Sequence, residues 1–244
     1  MKKSLSLFLI FAVSFSFATA QNNFQKDIIK TSGGALEITF IAHGTLMFNF
    51  NDLIIHIDPV AQYADYTELP KADIILVTHQ HGDHLSKEAI DLIRKSDTDI
   101  IITERISQDF DGGIVMKNWD KKNVKAIEIL AVPAYNLVHK RDNGSPFHPK
   151  GEGNGYILTF ADIKVYIGGD TENFPELDEF PQIDVAFLPM NLPYTMTPEM
   201  VADAASRLKP KILYPYHFGN TDTDELVKLL ENHKEIDVRI RKMN

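Results

Sequence analysis

The chain has no cysteine among its 244 residues. That excludes disulfides, thiolate metal ligands and lipid attachment to a cysteine behind an export signal. Basic residues are also scarce: 25 Lys and Arg stand against 34 Asp and Glu, for a formal net charge of −9. Such an acidic surface argues against nucleic acid or an anionic membrane as the main partner. No low-complexity linker or repeated motif divides the chain, and its length suits one domain with a substantial core. A long apolar run opens the sequence. It follows Met1-Lys2-Lys3, continues through Phe17 and reaches Ala18-Thr19-Ala20. A basic start, an apolar stretch of about 7–15 residues and a small-x-small site read as a secretory signal peptide over 1–20. The expected location is therefore secreted or periplasmic, without membrane attachment after cleavage. Cleavage would remove two lysines and no acid, making the mature chain more acidic still, and bound divalent cations would offset part of that charge.

Histidine, by contrast, is locally dense. Nine occur in all, and three fall within Thr78-His79-Gln80-His81-Gly82-Asp83-His84-Leu85. This cluster follows the apolar run Ile74-Ile75-Leu76-Val77, which reads as a buried strand. Three imidazoles and a carboxylate where a strand ends and a loop opens suit a borderline divalent metal. The pattern His-x-His-x-Asp-His resembles the signature of the metallo-β-lactamase superfamily. The resemblance implies that His79 and His81 bind one metal and Asp83 and His84 a second. It also implies a four-layer αββα sandwich of two mixed sheets, an α/β (α+β) fold with metals at strand-end loops along one edge.

The order of elements agrees with that architecture. Strands are expected over 36–41, 45–50 and 53–57, with Asn51-Asp52 as a hairpin turn, then over 74–78 and 100–103. Further strands are expected over 124–132, 155–160, 163–167, 185–188, 212–214 and 237–240. Ser86 is the expected N-cap of a helix over 87–95, and Pro198 opens a helix running to Leu208. A last helix is expected over 224–232. Residues 21–35 read as a lead-in and 36–244 as the domain.

More strand-end ligands follow in order. Gly168-Gly169-Asp170-Thr171 resembles the family element whose Asp bridges both metals. His217, in Tyr214-Pro215-Tyr216-His217-Phe218, matches the last histidine, a ligand to metal two. Asp58, in Ile57-Asp58-Pro59, is expected behind a ligating histidine, fixing its tautomer. His56 alternates with Ile55 and Ile57 and reads as structural. The family's remaining ligand to metal one is a histidine, but Asn136 stands in its place, and Asn oxygen is a weak zinc ligand. Asn136 is accordingly grouped with Asp58 as support. His139 and His148 lie downstream, and His148, braced by Pro146 and Pro149, is the favoured replacement. His43, in Ile41-Ala42-His43-Gly44, is a further candidate. It resembles an element of the UlaG-like branch, which includes ascorbate-6-phosphate lactonase and many uncharacterised hydrolases. Leu192-Pro193-Tyr194-Thr195-Met196 adds to that likeness.

The implied activity is metal-dependent hydrolysis of an ester, lactone or phosphodiester in a small-molecule substrate. One or two divalent ions are expected, zinc by default, with manganese or iron compatible. Asp83 is expected to orient water or accept its proton, and Tyr194 with Thr195 to steady an oxyanion. Lys140, Arg141 and Lys150 are the basic residues near the candidate loops. A β-lactamase is a narrower reading. A non-catalytic metal- or ligand-binding module is the other, motivated by Asn136. Homo-oligomer formation stays open.

Overall fold

The structure is a computed structural model that describes residues 24–243. The signal-peptide reading over 1–20 lies outside the described residues, and among these no helix is long and apolar enough to cross a membrane.

Local chemistry sets the first sheet. β2 (Gly34–Ala42), β3 (Thr45–Phe50) and β4 (Leu53–Ile57) form an antiparallel meander. Asn51 and Asp52 both take positive φ, 51° and 66°, as a two-residue hairpin turn requires. β5 (Ile74–Leu76), β6 (Asp99–Ile102) and β7 (Ile114–Val115) then continue the sheet in parallel. The second sheet repeats this plan. β8 (Lys121–Val124), β9 (Ile127–Ala134), β10 (Gly153–Phe160) and β11 (Ile163–Ile167) are antiparallel. β12 (Val185–Pro189), β13 (Ile212–Tyr216) and β14 (Asp237–Val238) extend them in parallel. Each sheet has seven strands in sequence order.

Three details differ from the sequence reading. The strand expected over 124–132 is broken at Lys125-Ala126, whose φ values of 47° and 69° make a tight turn between β8 and β9. Residues 25–31, within the expected lead-in, form β1 (Gln25–Thr31), an edge strand paired along its length with β2. Asp27 fastens this strand to the far end of the chain: Arg241 donates to its two oxygens at 3.0 and 2.6 Å, and the Tyr214 hydroxyl donates at 2.5 Å. The last strand stops at Val238 instead of Ile240.

The core lies between the sheets, where Phe40, Phe48, Phe160, Phe187 and Tyr214 meet ring to ring. β5 is buried on both faces. Ile74 and Leu76 join this central core, while Ile75 and Val77 pack outward with Ala89, Ile90 and Ile93 of α1 (Lys87–Ile93). The Ser86 hydroxyl caps α1 at the Ala89 N–H. On the opposite side α2 (Pro198–Leu208) and α3 (Thr223–Leu229) cover the second sheet with Val201, Ala205, Leu208 and Leu226. The four layers are thus helix, sheet, sheet, helix, the expected αββα sandwich.

His56 is fully buried in β4. Its Nε2–H donates to the Pro70 carbonyl at 3.0 Å, and its Nδ1 has no partner. Burial disfavours the imidazolium and pushes the pKa from 6.5 down to about 4. The folded state therefore binds the proton less readily than the unfolded chain. Its contribution is intact above pH 6.5 and is lost as pH falls toward about 4. The loss from this residue alone should reach about 3 kcal/mol. Urea unfolding across that window should show a shallower acid decline for His56→Leu than for the parent; equal slopes would refute the assignment.

Candidate metal centre

The loops leaving β2, β4, β5, β11 and β13 carry His43, Asp58, the His79–His84 run, Asp170 and His217. Three of these residues turn the chain sharply. His43, Asp58 and His217 have φ of 54°, 45° and 48°, a left-handed region that costs non-glycine residues about 1–3 kcal/mol each. Packing holds two of them there. His217 N–H donates to the His43 carbonyl at 2.9 Å, and His43 N–H donates to the carbonyl of Met243. Gly44 is needed for close approach, because a Cβ there would lie 2.6 Å from His84 Cε1.

These loops assemble two donor groups. One joins His79, His81, His148 and Asp170, the other His43, Asp83, His84 and His217, and within each the donor atoms lie within 4.8 Å of one another. Asp170 faces both. Its Oδ2 is 3.2 Å from His148 Nε2 and 3.8 Å from His79 Nε2, while its Oδ1 is 3.2 Å from His84 Nε2 and 3.4 Å from His217 Nε2. The buried His84 Nε2, His217 Nε2 and Asp170 Oδ1 have no hydrogen-bond partner. Buried polar atoms left this way are costly unless something else satisfies them. Imidazole nitrogens and carboxylate oxygens converging on one point fit a divalent cation in each group.

The protonation states suit that role. Burial, reinforced by the neighbouring His84, holds His79 well below its usual pKa, and burial with His148 lowers His81. Both rings stay neutral, leaving a lone pair free for metal. His43 is likewise lowered by burial. Burial alone would raise the carboxyls. For Asp170 the nearby His217 and His84 outweigh it, and for Asp83 the neighbouring His217 and His43 do, so both remain ionised. His84 is raised well above its usual value: burial opposes the charge, but Asp170 and Asp58 on either side favour it. That proton is the one a cation would displace.

A further set of residues aims the ligands. Asp58, fully buried, lies 2.7 Å from His84 Nδ1 and accepts Thr78 N–H and Oγ1–H, each at 2.7 Å. It fixes the His84 tautomer so that Nε2 points to the donor group. Asn136 does the same for His148: its Oδ1 lies 2.8 Å from His148 Nδ1 and accepts His148 N–H at 2.8 Å. Of the candidates for the missing histidine, His148 is the one that stands in the first donor group, with Asn136 behind it. Asn136 Nδ2 donates in turn to Glu172 at 3.0 Å and to the Tyr194 carbonyl at 2.9 Å.

Glu172 was not legible as a site residue. It is fully buried and accepts the N–H groups of Leu137, Val138 and His139 at 2.6, 2.6 and 2.8 Å. His139 Nδ1 also lies 2.7 Å from it, so His139 is committed to Glu172 and joins neither donor group. The one sequence signal was its position two residues after Asp170.

An open cleft of about 540 Å³ gives access to the donor groups, with Arg141, Phe147, Asn191 and Tyr194 on its walls. Thr195 departs from expectation: it is fully buried, and its hydroxyl accepts the Asn191 N–H at 2.7 Å and donates to the Asn191 carbonyl at 3.2 Å, so it is not available to an oxyanion. Lys150 is paired with Glu176 and lies 4.9 Å over the Tyr135 ring, away from the cleft wall. Lys140 also lies off that wall.

An αββα sandwich with two His/Asp donor groups at its strand-end edge is the architecture of a metal-dependent enzyme. Residues 37–217 match the family model described as a beta-lactamase superfamily domain. The chain belongs to the metallo-β-lactamase superfamily. A UPF0173 metal-dependent hydrolase of Thermococcus kodakarensis is 31% identical over 219 residues, covering 82% of this chain and 95% of that protein. A crystal structure from Parabacteroides distasonis, assigned as a metal-dependent hydrolase, is 51% identical with a TM-score of 0.86, covering 91% of this chain and 100% of that one. The metallo hydrolase Igni18 of Ignicoccus hospitalis shares the fold at 24% identity and a TM-score of 0.71, covering 86% of this chain and 96% of that one. The degraded-site alternative loses its motive, since His148 fills the place that Asn136 leaves.

Proposed function

We propose that the chain is an exported hydrolase of the UlaG-like branch that carries two zinc ions and adds water to a small-molecule ester, lactone or phosphodiester. The observation that carries this reading is Asp170, buried between the two donor groups with one oxygen toward each. A divalent ion in such a site brings the pKa of its water to about 7 and polarises a carbonyl or phosphoryl oxygen. The surrounding residues supply orientation and proton handling. Asp83 is ionised, and with 41% of its side chain exposed it opens to the cleft far more than Asp170. It can orient the attacking water by accepting its hydrogen bond. The Tyr194 phenol, on the cleft wall and 46% exposed, is free to donate to the oxyanion that develops on the substrate. The branch assignment is supported by His43 in the second donor group and by His148 with Asn136 in the first. Export is supported by the composition of residues 1–20.

The test is metal analysis of the purified protein alongside turnover of a neutral ester, a lactone and a phosphodiester. About two equivalents of zinc are expected. Turnover of at least one substrate should disappear on chelation and return with zinc. Full metal occupancy without turnover of any of the three, or turnover indifferent to chelation, would refute the reading. Gln21 as the first residue of the mature protein would support export, and retention of Met1 would count against it.

A further inference from the structure

The cleft wall carries two carboxylates, Asp83 and Asp170, and both belong to the metal donor groups. The remaining charged side chain on that wall, histidines apart, is Arg141. In a chain with more acids than bases, many exposed cations find a carboxylate: Lys117 pairs with Glu104 and Lys150 with Glu176. Among the described residues Arg141 has no such partner. Its Nη2 donates to the Phe147 carbonyl at 3.3 Å, and its guanidinium lies 4.9 Å over the Phe147 ring. The backbone beneath it is closed on itself: Arg141 N–H donates to Ser145 O and Gly144 N–H to Arg141 O, both at 2.8 Å. The guanidinium is thus held at the cleft while its other donors stay unpaired.

An apolar flank adjoins it. Phe147 and Tyr194 meet edge to face at 5.1 Å, and Leu137, Val138 and Leu192 are exposed on the same two segments. The bond from Asn136 Nδ2 to the Tyr194 carbonyl draws those segments together. Of these, the Phe147–Tyr194 pair lies on the cleft wall itself, and an aromatic pair there offers apolar surface to a bound ligand. With cations in both donor groups, the cleft becomes positive at its base and at Arg141, within an otherwise acidic protein.

We infer that the substrate carries an oxyanion near its scissile bond and an apolar aryl or acyl substituent, Arg141 receiving the anion and the Phe147–Tyr194 pair the apolar part. This rests on the hydrolase reading above and narrows its substrate class. The test is calorimetric binding of phenylphosphonate and methylphosphonate to the zinc-loaded protein, which needs no turnover, with zinc content measured for every variant. Phenylphosphonate should bind more tightly than methylphosphonate. Arg141→Gln should raise both dissociation constants about tenfold, with partial recovery in Arg141→Lys, because a charge-assisted hydrogen bond is lost. Tyr194→Ala should weaken phenylphosphonate more than methylphosphonate. Equal binding of phenylphosphonate by the parent and Arg141→Gln, at equal zinc content, would overturn the anion assignment. Equal binding of the two phosphonates would overturn the apolar one. Arg141-dependent binding without turnover of any ester, lactone or phosphodiester would refute the proposed function while sustaining Arg141 as the anion-binding residue of the cleft. Turnover of a neutral ester with Arg141-independent phosphonate binding would do the reverse.

Discussion

Asp170→Asn is expected to lower turnover by about a thousandfold, some 4 kcal/mol of transition-state stabilisation, and to deplete metal from both donor groups. Among the described residues no other side chain places an oxygen toward each group. Oδ2 lies 3.2 Å from His148 Nε2, and Oδ1 lies 3.2 Å from His84 Nε2. The amide keeps one neutral oxygen and turns an N–H₂ toward imidazole nitrogens that should face a cation. It also removes one of the two carboxylates that favour charge on His84. Metal analysis and kinetics on the same preparation check this. Thermal unfolding of the metal-free protein supplies the control, because a misfolded variant would lose metal for an uninformative reason. Parent-like metal content and rate in a folded variant would rule out the shared-ligand role of Asp170.

Glu172→Ala should destabilise the metal-free protein by about 3–5 kcal/mol, since each buried donor left without a partner costs about 1–3 kcal/mol. The N–H groups of Leu137, Val138 and His139 would all lose their acceptor, and Asn136 Nδ2 would lose one of its two. The consequence reaches the site through one intermediary. Asn136, released on that side, would hold His148 less firmly, and metal affinity of the first group should fall about 10–100-fold, as for other residues that orient a ligand. Urea unfolding without metal reads the first effect, and competition against a chelator reads the second. Asn136→Ala separates the two: it should reproduce most of the affinity loss with a smaller loss of stability. If Glu172→Ala alters stability alone and leaves affinity untouched, Glu172 braces the 136–139 loop without positioning the ligand.

How far each part could be read from sequence follows from the range of the interactions involved. The helix starts at Ser86 and Thr197-Pro198 depend on hydrogen bonds within three residues: the Ser86 hydroxyl caps as expected, and the Thr197 hydroxyl caps the helix that Pro198 opens. The Asn51-Asp52 turn was legible because these residue types tolerate positive φ. Lys125-Ala126 makes a similar turn without either, so the strand break between β8 and β9 left no local mark. β1 went unrecognised because an edge strand needs no apolar alternation. Its anchor, Asp27 with Arg241 and Tyr214, joins residues from opposite ends of the chain.

By itself, the sequence determined the chemistry of the donors and the sandwich that carries them. His79, His81, Asp83 and His84 lie within one loop, and the strand pattern around them admits few architectures. Tertiary structure alone decided which distant residues complete the centre. His139 and His148 share a loop and a chemistry. Glu172, from another strand end, takes His139 for itself and, through Asn136, presents His148 to the first donor group. The same holds for His43, which reaches the second group because the backbones of His217 and Met243 fold against it. A ligand's residue type is a property of the chain, but the direction of its lone pair is set by the partners that packing brings to its other nitrogen.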